Sequence, residues 1–283
     1  MSIHTQPEAH QILSPLPEQR RRYRSLFLSD LHLGANGCRA DRFLQFLNRH
    51  DAEVIYLVGD IFDNWQPISP KWSPTHDAVI QTLLARVREG VRIVYVPGNH
   101  DDFFRRHYGT YFGAIEVVEQ AAHVAADGQR YLVVHGDHWD AKLFQARWLS
   151  KFGAWADSLV RGLNNAINRV RRKLELEEAR MIEAALVQVN ALLRYRNRFE
   201  ERLTDVARQL GFDGVICGHF HKADLHDDYG VIYANCGDWV ENFTALAEDA
   251  CGRLRLLTWE GKPLAQAAPG PVAVLDDAAS VVA

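Results

Sequence analysis

Residues 54–60 read Val54-Ile55-Tyr56-Leu57-Val58-Gly59-Asp60. A short run of β-branched and aromatic residues closed by Gly reads as a buried strand, and Asp60 then stands just beyond its carboxyl end. The same arrangement recurs four times. Leu26–Leu28 precedes Asp30-Leu31-His32, and Ile93–Val96 precedes Gly98-Asn99-His100-Asp101. Leu132–Val134 precedes His135-Gly136-Asp137, and Val215–Cys217 precedes Gly218-His219-Phe220-His221. Open α/β sheets present their ligands outside the carboxyl ends of the strands. Five strands therefore bring their polar residues to one edge of the fold.

The chemistry of the set is specific. Asp, His and Asn without Cys are hard oxygen donors mixed with imidazole, which suits Mn²⁺, Fe²⁺, Zn²⁺ or Mg²⁺. A two-metal site needs a bridging carboxylate, and Gly59 allows the backbone to turn sharply away before Asp60. Two metals about 3.5–4 Å apart activate a water and clamp the oxygens of an in-line phosphoryl displacement.

The remainder of the chain sets the frame. Its 283 residues suffice for one large domain, or for one domain carrying an insertion. The net charge of −4 does not favour nucleic acid as a partner. Cys38, Cys217, Cys236 and Cys251 lack zinc-finger spacing, and Cys217 and Cys236 read as buried thiols. Neither a secretory leader nor a membrane span is expected, which points to the cytoplasm.

Residues 1–23 read as a basic arm ending in Arg20-Arg21-Arg22, able to touch an anionic membrane surface. Residues 24–140 and 211–264 read as the α/β core, with helices over Asp41–Arg49 and His76–Arg88 and a hairpin at Asp127-Gly128. Val215–Cys217, Val231–Ala234 and Leu254–Trp259 suggest a further antiparallel sheet. Residues 141–210 read as an inserted helical cap, where Trp148, Phe152, Trp155, Leu159 and Leu163 recur at steps of three or four. Between Lys142 and Lys173, eight Lys and Arg face a single acid, Asp157, a concentration that could steer an anionic substrate or lipid headgroup. Residues 265–283 read as a tail.

Taken together in this order, Asp-x-His, Gly-Asp, Gly-Asn-His-Asp, the strand-end His135 and Gly-His-x-His resemble the calcineurin-like metallophosphoesterase family over about residues 24–240. The resemblance implies a four-layer α/β/β/α sandwich. It also implies Asp30, His32, Asp60 and His221 around a first metal, and Asp60, Asn99, His135 and His219 around a second. His100 then matches the residue that donates a proton to the leaving oxygen, and Asp101 the carboxylate that orients it. Within the family, Ser-Asp-Leu-His-Leu-Gly, Gly-Asp-Ile-Phe-Asp-Asn-Trp and the long insertion are similar to the UDP-2,3-diacylglucosamine diphosphatase group of lipid A biosynthesis. That group uses two Mn²⁺ ions on an acylated nucleotide-sugar at the inner membrane. One position departs: members of that group carry Arg where this chain has His100. Segment 235–241 differs as well, so another phosphoester substrate, a soluble nucleotide or a phospholipid, stays open. A non-catalytic scaffold of the same fold would lack ligands, and none is missing here. Asn36, Arg39, Asp63, Asn64, Trp65, His138, Trp148, Phe152 and Trp155 are the candidate substrate contacts.

Overall fold

The computed structural model describes residues 20–35, 37–65, 72–140 and 197–266. Asn36, Trp148, Phe152 and Trp155 lie outside the described residues, as do most of the expected arm, cap and tail.

The first sheet begins with β1 (Arg21–Leu28), β2 (His50–Val58) and β3 (Arg92–Val96), paired in parallel with Leu26 beside Ile55 and Ile55 beside Ile93. Arg21 and Arg22, expected in the arm, already pair with His50 and Asp51. Two helices, α1 (Ala40–Arg49) and α2 (Pro74–Arg88), make the crossovers. Beyond β3 lie β4 (Thr110–Phe112) and β5 (Ile115–Val117). The hairpin at Asp127-Gly128 joins β6 (Ala121–Val124) to β7 (Arg130–Val133) and opens a second sheet. Helix α3 (197–209) leads into β8 (Gly214–Cys217), β9 (Asp224–His226) and β10 (Ile232–Asn235). The chain then returns to the first sheet as β11 (Thr244–Glu248), β12 (Leu254–Thr258) and β13 (Pro263–Gln266). Among the described residues the sheet orders are β13-β12-β11-β1-β2-β3-β5-β4 and β6-β7-β8-β10-β9.

The expected antiparallel grouping of the last apolar runs is therefore corrected. β8 and β10 pair in parallel, Val215 beside Tyr233, because the intervening β9 forms the antiparallel return. β12 belongs to the other sheet altogether, antiparallel to β11.

Strand alternation sorts the core into three interfaces. Leu26, Leu28, Ile55, Leu57, Ile93 and Tyr95 face α1 and α2, where Phe43, Phe46, Leu47, Val79 and Leu83 are buried. The intervening residues Phe27, Tyr56, Val58, Val94 and Val96 meet Tyr131, Val133, Ile216 and Ala234 of the second sheet. The opposite face of that sheet, Leu132, Val134, Val215, Cys217 and Tyr233, packs on Phe199, Leu203 and Ala207 of α3. Helix, sheet, sheet, helix is the four-layer order.

A buried polar cluster around Glu248 helps to tie the two sheets. The buried Glu248 accepts from Arg24 at 2.6 Å and from the Ala126 amide at 2.8 Å, and its other oxygen lies 2.8 Å from His123 Nε2. Burial alone would raise this carboxyl, but the bonds from His123 and Arg24 outweigh it and hold it below the usual range. A depressed folded value means stability present above the unfolded pKa and lost as pH falls through the folded one. Glu248→Gln is expected to cost about 1–3 kcal/mol at pH 7, since it keeps one acceptor oxygen but removes the charge and the acceptor facing the buried His123. The difference from the native chain should narrow below the ordinary glutamate pKa of ~4.3, which chemical denaturation at two pH values will show.

Candidate metal centre

The strand-end clusters adopt a backbone that side chains seldom tolerate. Asp30, His32, Asp60, His219 and His221 have φ of 53°, 51°, 53°, 72° and 54°. Non-glycine residues in the left-handed region mark sites where the surroundings over-determine the chain. Here those surroundings are backbone bonds between neighbouring strand ends: Asp30 N to Gly59 O at 3.0 Å, His32 N to Asp60 O at 2.9 Å and Trp239 N to Asp30 O at 3.0 Å. Close approach explains Gly98, where a Cβ would collide with the Asp60 carboxylate, its backbone nitrogen and the His135 ring. Gly98→Ala is expected to destabilise the fold by about 1–3 kcal/mol through overpacking and to weaken metal binding with it, as thermal unfolding with and without Mn²⁺ will register.

These turns gather the donors. One donor atom each from Asp30, His32 and His221 lies within 4.8 Å of the others; so it is for Asp30, Asp60 and His135, and for His32, Asp60 and His100. Several of the remaining atoms are committed elsewhere. Asp30 Oδ2 accepts from the His219 amide at 3.0 Å and from the Ser29 hydroxyl, so Oδ1 faces His221 Nε2 at 3.2 Å. Asp60 Oδ1 accepts from the His100 amide at 2.8 Å, so Oδ2 faces His135 Nε2 at 3.3 Å. His135 donates Nδ1–H to Val58 O at 3.0 Å, which leaves its Nε2 lone pair for a cation.

A direct test of fit comes from unmet polar atoms. Asn99 Oδ1 is buried without a hydrogen-bond partner among the described residues, and Asp30 Oδ1 and His135 Nε2 have only the ion-pair approaches to His221 and Asp60 rather than well-formed hydrogen bonds. A buried polar atom left unsatisfied costs about 1–3 kcal/mol, and these three belong to the expected ligand set. A carboxylate oxygen, an amide oxygen and an imidazole nitrogen are what a hard divalent cation takes. The electrostatics agree. Burial alone would raise Asp30 and Asp60, yet His221 and His135 respectively are the main opposing influences and hold both carboxyls below the usual range. Burial would lower His221 and His135, but Asp30 pushes the first up to about 9 and Asp60 drives the second well above the ordinary value. The carboxylates and imidazoles thus favour positive charge in the pocket, which a divalent cation would supply.

Two expected roles are redistributed. Asp101 does not orient His100. Its Oδ1 accepts from the Gly98 amide at 2.6 Å, and its Oδ2 from the Ile61 amide at 2.7 Å and the Tyr95 hydroxyl. The turn directs this side chain back onto backbone donors, where it staples the loop after β2 to the loop after β3. Asp63 holds the histidine instead: His100 Nδ1 lies 3.1 Å from Asp63 Oδ1, and Trp65 stacks on the imidazole with centroids 4.0 Å apart. Asn64 contributes its amide to His100 O at 3.1 Å.

His219 sits apart from the clustered donors, its Nε2 3.0 Å from Asp140 Oδ2. Asp140 was absent from the sequence expectation, although a carboxylate five residues after His135 offers a faint signal. Arg39 forks onto Asp41 at the surface, and His138 meets Arg105 Nη1 at 2.5 Å. Asn235 and Asp238, in the departing segment, are scaffolding. Asn235 Nδ2 donates to Gly218 O at 2.8 Å, while Asp238 accepts three backbone amides and the Asn242 side chain, which donates to His221 O at 2.5 Å.

Known proteins give the same picture. A UDP-2,3-diacylglucosamine hydrolase of Stenotrophomonas maltophilia (strain K279a) is 28% identical over 81% of this chain and 96% of its own. One from Aliivibrio fischeri (strain MJ11) is 24% identical over 76% of this chain and 90% of its own. The profile of calcineurin-like phosphoesterases matches residues 23–223, most of the chain and all five strand-end clusters. With a four-layer fold, a buried Asp/His/Asn donor set and this match, the chain belongs to the calcineurin-like phosphoesterase family and is a metal-dependent phosphoesterase.

Proposed function

We propose that the chain hydrolyses the pyrophosphate of a UDP-2,3-diacylglucosamine-type nucleotide-sugar, releasing UMP and the acylated sugar 1-phosphate. The observation that carries this reading is the alignment of hydrolases of that name over about four-fifths of this chain and nearly all of their own length. Asp30, His32, Asp60 and His221 would hold one divalent ion, Mn²⁺ by preference, and Asp60, Asn99, His135 and His219 the other. When bound, the pair supplies an activated water and neutralises phosphoryl charge. Asp140 fixes the His219 ring, and Val58 O fixes that of His135. His100 keeps Nδ1 on Asp63 and turns Nε2 towards Asp60, 4.0 Å away, and would give its proton to the leaving oxygen. An acylated substrate would be met at the cytoplasmic face of a membrane; no helix among the described residues is long and apolar enough to cross one.

His100 also favours a second reading. A departing sugar phosphate is a weak base and needs little protonation, whereas a departing alkoxide needs an acid. An imidazole held by Asp63 is therefore suited to an ordinary phosphodiester or monoester. The deciding experiment incubates the purified protein with Mn²⁺ and UDP-2,3-diacylglucosamine and follows UMP by chromatography. Prompt UMP release is expected. Cleavage of bis(p-nitrophenyl) phosphate with no UMP would transfer the assignment to the second reading.

A further inference from the structure

We infer that Arg105 and Asp137 form a clamp across the two sheets, and that Arg105 is a positioning residue for the metal centre. The inference rests on the ligand assignment above. That assignment draws the donors of both metals from both sheets, and the second metal's lie at the clamped end: Asp60 and Asn99 follow β2 and β3, while His135 and His219 follow β7 and β8. Two donors on separate sheets share one ion only if the gap between the sheet edges is fixed at this end.

Arg105 lies on the 3₁₀ turn Asp102–His107 that follows β3. Its Nη2 donates to Asp137 Oδ2 at 2.6 Å and to Pro97 O at 3.5 Å, and its Nη1 donates to His138 Nε2 at 2.5 Å. Pro97 stands two residues before Asn99, and Asp137 two residues after His135. One guanidinium thus grips the chain beside a first-sheet donor and the chain beside a second-sheet donor. The ion pair is sheltered, with side-chain exposures of 20% and 9%. A charge-assisted bond in such a place is strong and directional. The planar fork serves three acceptors together, and an ammonium would not reproduce it.

The test is a calorimetric titration of Mn²⁺ into the metal-free protein, with thermal unfolding measured in parallel. Arg105→Gln and Asp137→Asn are expected to weaken one of the two Mn²⁺ sites about tenfold or more, the scale of losing an outer-shell partner, and to weaken the other, farther from the clamp, less. Arg105→Lys, which keeps the charge without the fork, should fall between. Arg92→Gln, which breaks the exposed Arg92–Glu116 pair of 2.7 Å, is the control and should leave both sites unchanged. Lowered thermal stability with both sites intact would overturn the inference, as would equal weakening of both sites. A native chain that binds two Mn²⁺ but releases no UMP removes the substrate reading and leaves the clamp standing. Binding of fewer than two Mn²⁺ by the native chain removes the clamp with the ligand assignment.

Discussion

Asp60→Asn is expected to abolish metal-dependent hydrolysis. The change keeps the volume and one acceptor, so the bond from the His100 amide to Oδ1 can persist. What disappears is the charge on the oxygen facing His135, in a residue that shares donor groups with Asp30, His32, His100 and His135. Losing an outer-shell partner costs about 10–100-fold in metal affinity or activity, and losing the shared carboxylate should cost more. Calorimetry should find at most one Mn²⁺ in place of two, and turnover of bis(p-nitrophenyl) phosphate should fall to background. Turnover at the native rate would remove Asp60 from the centre.

His100→Ala should lower kcat by about 10²–10⁴ on an ester with an alkoxide leaving group, the range of a positioned general acid. The loss should be much smaller with p-nitrophenolate, which leaves without help. Asp63→Asn tests the same unit through its pH profile. Burial tends to lower His100, but the bond to Asp63 and the charge of Asp60 outweigh it, so the ring titrates above its ordinary value. A raised value keeps the acid protonated to higher pH. Without the Asp63 charge the ring loses its proton earlier, and the alkaline limb of kcat should move to lower pH. An unshifted limb would separate Asp63 from the acid.

Much of this was legible in the chain. Val54–Asp60 and its four counterparts each join an apolar run, a tight exit and a candidate ligand, so they announced both the strands and the edge they share. The role of Asp101 was not legible. Adjacency in Gly98-Asn99-His100-Asp101 suggests a local partner for His100, whereas the turn sends Asp101 to the amides of Gly98 and Ile61. Asp63 is 37 positions from His100 in sequence and meets it only because β2 and β3 end side by side. The parallel pairing of β8 with β10 was hidden for a related reason. Apolar runs identify strands, but the direction of pairing depends on the short β9 between them, whose three half-exposed residues carry little apolar signal.

The left-handed backbone at Asp30, His32, Asp60, His219 and His221 has a consequence for engineering. Each such residue forgoes on the order of 1 kcal/mol relative to glycine, which adopts that conformation freely. Alanine would delete the side chain yet retain the strain; glycine deletes the side chain and releases it. At these positions glycine should therefore be the less costly of the two deletions, and the gap in thermal stability between the glycine and alanine variants reads the strain that the native side chain carries.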